Sequence, residues 1–199
     1  MWGGQWERCG NDGYFPTSYI YNNGNVETSR SADDAQVPVG DSAEYAVPES
    51  TTYIEADSFG PLNVGTYRES TVTHYYNSSN WWDLGPNSWG TPSAINTFQY
   101  WGNISQIVAS KALPNAGDAD VNGTSYKAAA TYANNDFALT CAGSTSPTTD
   151  AVFNLIPMNQ TILYLGSRYG SQRVNGHFKK FAYYPARLSN ETLAQMTED

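Results

Sequence analysis

Only one convincing helix start can be read in this chain, at residue 189, and everything before it is short runs of Thr, Tyr, Phe, Val and Ile broken by clusters of Gly, Pro, Asn and Ser. β-branched and aromatic side chains suit a pleated surface, and turn formers at regular intervals cut that surface into strands. The pattern predicts strands over 51–57 (TTYIEAD), 67–76 (YRESTVTHYY), 95–101 (INTFQYW), 104–109 (ISQIVA), 124–132 (TSYKAAATY), 136–141 (DFALTC), 161–166 (TILYLG) and 176–184 (GHFKKFAYY). The triplet NND at 134–136 fits a hairpin turn. The expected class is an all-β antiparallel sandwich.

The end of the chain is the most legible part. Pro185 removes a backbone donor and stops the last strand. Ser189 is placed to cap a helix, Glu191 stands where the positive helix end favours an acid, and Leu188 and Leu193 have the spacing of a hydrophobic staple. Phe178 and Phe181 would point to opposite faces of an ideal strand, so either both faces are covered or a bulge intervenes.

At 199 residues the chain can bury one sizeable core. Charged residues make up only 15% of it and the formal net charge is -9, so the surface is polar but sparsely charged and disfavours polyphosphate partners. Lys179, Lys180, Arg173 and Arg187 are the only basic cluster, which argues against nucleic acid. No apolar run has the roughly 18 residues of a membrane span, and the start lacks the basic head and apolar middle of a signal peptide. Cys141 shares a strand face with Phe137 and Leu139 and reads as a buried thiol, with a Cys9–Cys141 disulfide as the alternative. His74 and His177 lie far apart in sequence and no Cys/His spacing fits zinc, so no cofactor or metal is expected. Residues 1–49 carry irregular Gly and Asn runs and an acidic stretch, SADDAQVPVGD; they read as an extended arm leading into a sandwich over 50–199. Asp33, Asp34 and Asp41 in that stretch match no calcium-loop spacing.

The segments TSYKAAATYANNDFALTCAG, TILYLGSRYG and NGHFKKFAYYPARLSNETLAQM resemble, in order and spacing, the closing half of concanavalin A-like (laminin-G-like) jelly-roll domains of bacteriophage tail and virion surface proteins. WGGQWE followed by FPTSYIYNNGNVETSRSADDA is similar to the linker that ends one such jelly roll and leads to the next. The resemblance implies a jelly roll with an N-terminal arm and a short C-terminal helix, located in a phage particle at its surface or tail. It implies other virion proteins as partners and a homo-oligomer, for which a trimer is one plausible symmetry. Trp2–Glu7 would be a strand in search of an edge, so Trp2, Gln5, Trp6, Tyr19 and Arg30 are the candidate assembly residues of the arm.

Residues 74–101, HYYNSSNWWDLGPNSWGTPSAINTFQYW, lie outside that resemblance and hold four of the six tryptophans. Aromatic rings stack on the apolar faces of sugars while Asn and Asp reach ring hydroxyls, and Tyr and Trp also anchor protein interfaces. Tyr75, Tyr76, Asn80, Trp81, Trp82, Asp83 and Trp89 are therefore the candidate glycan- or partner-binding residues. Phe98, Tyr100 and Trp101 sit in a strand pattern and suit packing equally well. Because Trp81, Trp82 and Trp89 stand among turn residues, at least two of the three are expected to be exposed or covered only by another molecule.

Glu55 and Asp57 alternate on one strand face, as a glycosidase pair would, but Gly60 stands where a Glu-x-Asp-x-x-Glu pattern needs its third acid. The reading is a non-enzymatic virion component, foremost a tail-fibre or spike adhesin touching host-surface carbohydrate. The alternatives are a capsid-decorating or connector protein and, third, a polysaccharide hydrolase.

Overall fold

A computed structural model describes residues 35–40, 45, 49–58, 71–87, 94–101, 104–112, 124–133, 135–141, 146–150, 160–167 and 176–198. In chain order the strands are β1 (Ala35–Pro38), β2 (Ser50–Ser58), β3 (Val72–Asn77), β4 (Asn80–Asn87), β5 (Ala94–Trp101) and β6 (Ile104–Ala112). They continue as β7 (Thr124–Ala133), β8 (Asp136–Cys141), β9 (Thr148–Asp150), β10 (Ile162–Leu165) and β11 (Gly176–Tyr184), before helix α1 (Asn190–Met196). All pair antiparallel in two sheets, one in the order β1-β10-β3-β4-β5-β6 and the other β11-β2-β7-β8-β9.

Every expected strand is present among the described residues; the second is strand from Val72, and its expected start at 67–70 lies outside the described residues. Three more were not expected. β9 is short, β4 occupies the stretch read as an aromatic loop, and β1 falls inside the segment assigned to the arm. β1 pairs along β10, and Val39 just beyond it is buried in the core, so residues 35–39 belong to the sandwich. The arm candidates Trp2, Gln5, Trp6, Tyr19 and Arg30, the acids Asp33, Asp34 and Asp41, and Cys9 lie outside the described residues.

The core follows from alternation. Tyr126, Ala128, Ala130 and Tyr132 of β7 face Val72, Trp82, Leu84 and Leu163 of the other sheet, with Ile54, Phe137, Leu139 and the Cys141 thiol filling between them. The intervening Ala129 and its neighbour Ala138 are fully buried on the outer side, under Leu193 of α1. Two small side chains there let the helix lie close to the sheet. Ser189 caps it, its Oγ accepting from the Thr192 amide at 3.2 Å, and the hydrogen bonds that Glu191 accepts from its own amide and from Ser189 hold that carboxyl below the usual range. Arg187 fixes the approach: its guanidinium donates to Asp136 Oδ1 at 2.7 Å and to Asn190 Oδ1 at 2.9 Å, tying the β7–β8 hairpin to the start of the helix. That hairpin turns on Asn135, whose φ of 57° a short polar residue tolerates.

The question posed by Phe178 and Phe181 resolves as a bulge. Phe178 pairs with Ala56, Lys180 with Glu55 and Phe181 with Ile54, so Lys179 is the extra residue and both rings share the inner face. Phe178 reaches across to Gly166, which follows β10 at φ +74°, and a Cβ there would stand 3.4 Å from the ring.

A polar chain lies between the sheets. His74 Nδ1 is 2.8 Å from Gln160 Oε1 and its Nε2 is 3.0 Å from Thr52 Oγ1, while Gln160 Nε2 donates to the Tyr132 hydroxyl at 3.3 Å. A carboxamide oxygen only accepts, so Nδ1 carries the proton and Nε2 accepts from threonine. Burial pushes this imidazole down to about 4.

Candidate functional site

The β3–β4 hairpin carries six of the seven residues singled out for binding, and the structure divides them. Trp82 and Leu84 point inward; Trp82 stacks on His74 and meets Tyr132 edge-on at 5.5 Å, a core position. Trp81 and Asp83 lie on the outer face in register with Tyr75 and Thr73, yet they are only 1% and 6% exposed. The expectation that Trp81 and Trp82 would be exposed is therefore corrected: the strand they form is the third from one edge of a six-stranded sheet and is buried on both faces. Trp89 lies outside the described residues, as do the side chains of Phe98, Tyr100 and Trp101.

Tyr75, Tyr76 and Asn80 stay at the surface and come together at the hairpin tip. Tyr75 pairs with Trp81 and Asn77 with Asn80, which leaves Tyr76 as the extra residue of a bulge, 39% exposed. A bulge re-aims the side chain it carries, and here it turns a tyrosine outward that regular alternation would have directed toward the core side. Thr161 holds the bulge in place: its amide donates to the Tyr75 carbonyl at 2.9 Å, and its hydroxyl lies 3.2 and 3.1 Å from the carbonyl oxygens of Tyr75 and Tyr76. Behind them Tyr75 meets Tyr164 edge-on at 5.7 Å, fixing its ring. The turn is closed by Asn77, whose Oδ1 accepts from the Ser79 amide at 2.9 Å and from Asn80 Nδ2 at 3.0 Å. This is an Asx turn, and it fixes the orientation of Asn80. Asn77 and Thr161 were not singled out from the sequence; Asn77 was marked only by its place before a Ser-Ser pair, and nothing local marks Thr161, which is 86 residues from Tyr75. The result is an exposed phenol ring over a braced backbone, beside two carboxamides and a serine, an arrangement able to stack on a flat apolar surface and hydrogen-bond at its rim.

Glu55 and Asp57 do share the outer face of the second sheet, as alternation required. Asp57 pairs with Lys179 at 2.8 Å, and Lys179 also reaches Ser125 Oγ at 2.9 Å. Glu55 stands in register between Lys180 and Lys127 and accepts from the Tyr53 hydroxyl at 3.5 Å. Burial first, and the Glu55 charge second, raise the Tyr53 phenol above its ordinary value. The two acids thus sit in a ladder of cations.

The two-sheet arrangement is similar to that of jelly-roll β-sandwich domains in solved structures. Domain 4 of the extracellular arabinanase AbnA from Geobacillus stearothermophilus, solved in complex with arabinotriose, superposes with a TM-score of 0.62 at 11% identity, covering 82% of this chain and 72% of that one. The CBM40 domain of the Ruminococcus gnavus IT-sialidase, bound to α2,3 sialyllactose, gives 0.59 at 13% identity over 85% of this chain and 96% of that one. Domains LG4-5 of the mouse laminin α1 chain give 0.53 at 11% identity over 81% of this chain and 41% of that one. No protein-family model and no curated protein matches the sequence.

Proposed function

We propose that the chain is a non-enzymatic component of a phage particle, a tail-fibre or spike adhesin domain that contacts host-surface glycan through the β3–β4 tip. The observation that carries this reading is Tyr76, turned outward on a bulge that Thr161 braces, beside Asn77 and Asn80. A pre-set aromatic ring with amides at its rim is the chemistry of a sugar site, and neighbours of the same fold hold arabinotriose and sialyllactose. The virion setting rests on the resemblance of the terminal segments to phage surface proteins. The test is adsorption: Tyr76→Ala, with unchanged melting temperature, is expected to weaken binding to host cells or their isolated polysaccharide at least about tenfold. Normal adsorption by the folded variant overturns the assignment of the site.

A second reading, a capsid-decorating or connector protein, is favoured by a different feature. Of the four exposed large hydrophobic residues described, Val37, Phe178 and Tyr184 all lie on β1 and β11, edge strands of the two sheets, at 41%, 37% and 38% exposure. Apolar residues along sheet edges suit contact with another virion protein or another copy.

A further inference from the structure

We infer that Gln160 is the positioning residue of the β3–β4 tip and sets the outward bulge of Tyr76 from inside the sandwich, an inference that rests on the glycan reading of that tip. Gln160 is 1% exposed and stands one residue before Thr161, which is exposed. These two adjacent residues grip three consecutive residues of β3. The Gln160 carboxamide oxygen accepts from His74 Nδ1 at 2.8 Å, the Thr161 amide donates to the Tyr75 carbonyl at 2.9 Å, and the Thr161 hydroxyl lies 3.1 Å from the Tyr76 carbonyl oxygen. On the other side the Val39 amide donates to the Thr161 carbonyl at 3.0 Å, which ties the same segment to the end of β1.

The grip is uneven in strength. The Thr161 bonds face solvent, where water competes for both carbonyls, so they hold the bulge only when the Thr161 backbone is already in place. The buried contacts supply that placement. Gln160 Nε2 donates to the Tyr132 hydroxyl at 3.3 Å, so the carboxamide is held at both ends, between β3 of one sheet and β7 of the other, and His74 is fixed further by its stack on Trp82. A neutral side chain that accepts from an imidazole N–H while donating to a phenol at this reach is a carboxamide. An apolar residue of the same length leaves the buried imidazole N–H unpaired, which costs more than the bond itself contributes. Gln160 therefore fixes where Thr161 begins, and Thr161 fixes where Tyr76 points.

The experiment uses the full chain with Gln160→Met, which keeps the length of the side chain and removes both of its hydrogen bonds. Two quantities are read: hydrogen exchange of the Thr161 amide relative to amides of β7 and β8, and binding to a printed oligosaccharide array, counted as the signal that Tyr76→Ala removes. Tyr132→Phe is the control, since it takes away the other partner of the carboxamide and leaves the bond to His74. Gln160→Met is expected to speed exchange at Thr161 and to weaken the Tyr76-dependent signal, each about fivefold, the effect of one lost buried hydrogen bond, and Tyr132→Phe to change both by less than about twofold. Gln160→Glu, which keeps an oxygen toward His74 Nδ1, is expected to restore both. Where Gln160→Met does not fold, Gln160→Asn, one methylene short of both partners, is read in its place with the same expectation. Unchanged exchange at Thr161 in a folded variant, faster exchange with the full Tyr76-dependent signal, or equal losses in Tyr132→Phe would each overturn the positioning role and leave the glycan site standing. A parent chain with no signal that Tyr76→Ala removes would overturn the glycan reading, and this inference with it.

Discussion

His74 and Trp82 stack face to face across neighbouring strands, with ring centroids 4.0 Å apart and planes within 6° of parallel. They are a register pair of β3 and β4, and both point into the space between the sheets. Through Thr52 the same histidine reaches the opposite sheet. A neutral imidazole thus closes the core beneath the hairpin that presents Tyr76.

That closure makes stability depend on acid. The buried imidazole titrates near 4 in the folded chain and near the ordinary 6.5 when unfolded, so the unfolded state binds the extra proton first as pH falls. The contribution of this group is complete above pH 6.5 and is lost between pH 6.5 and 4, about 3 kcal/mol across the window. Denaturant titrations at steps across that range should show the slope, and His74→Gln should flatten it. An equal slope in the variant would assign the acid sensitivity to other groups.

Trp82→Ala should cost about 3–5 kcal/mol, the range for truncating a large buried aromatic ring. A melting temperature close to that of the parent would contradict the packing of Trp82 against His74 and Tyr132.

Tyr76→Ala should change stability by less than about 0.5 kcal/mol, because the ring is partly exposed and its backbone is held by Thr161. Thr161→Val should be the informative partner. It keeps the shape but removes the hydroxyl from the two tyrosine carbonyls, at a cost of about 1 kcal/mol, and should lower binding with Tyr76 intact. If binding survives the loss of that brace, the bulge does not need to be pre-set.

Glu55→Gln combined with Asp57→Asn should leave adsorption unchanged and yield no change in release of reducing sugar from host polysaccharide. Loss of such an activity with an intact circular dichroism spectrum would favour the hydrolase reading.

A truncation ending at residue 34 and another ending at residue 40 should differ. The shorter deletion keeps β1 and Val39; the longer removes an edge strand and a core side chain, and the loss of Val39 alone should cost about 1.5–3 kcal/mol. Equal melting temperatures would mean that β1 adds nothing to the sandwich.

Where signals are local, the sequence could be read closely. The Ser189 cap, the Asn135 turn and the alternation of β7 are written within a few residues of where they act. β4 was hidden because its signal conflicts: Asn-Ser-Ser-Asn and Gly-Pro bracket the WWDL run as turn formers do, while a strand buried on both faces loses the alternation that would reveal it. β1 has four residues, all exposed, and only its partner β10 defines it. The site was half legible for the same reason. Aromatic and amide residues announced it, but which of Tyr76, Trp81 and Trp82 faces outward depends on one inserted residue in β3, a fact of register rather than composition.

The inserted Lys179 in β11 has an effect beyond aligning two phenylalanines. A nine-residue border strand with regular pleating would be a ready template for another chain, yet this one is broken in its pitch and carries Lys179 and Lys180 at the break. Such a border resists growth of the sheet from one molecule into the next. Copies of the chain brought together along this border would meet through side chains, each keeping its own set of strands.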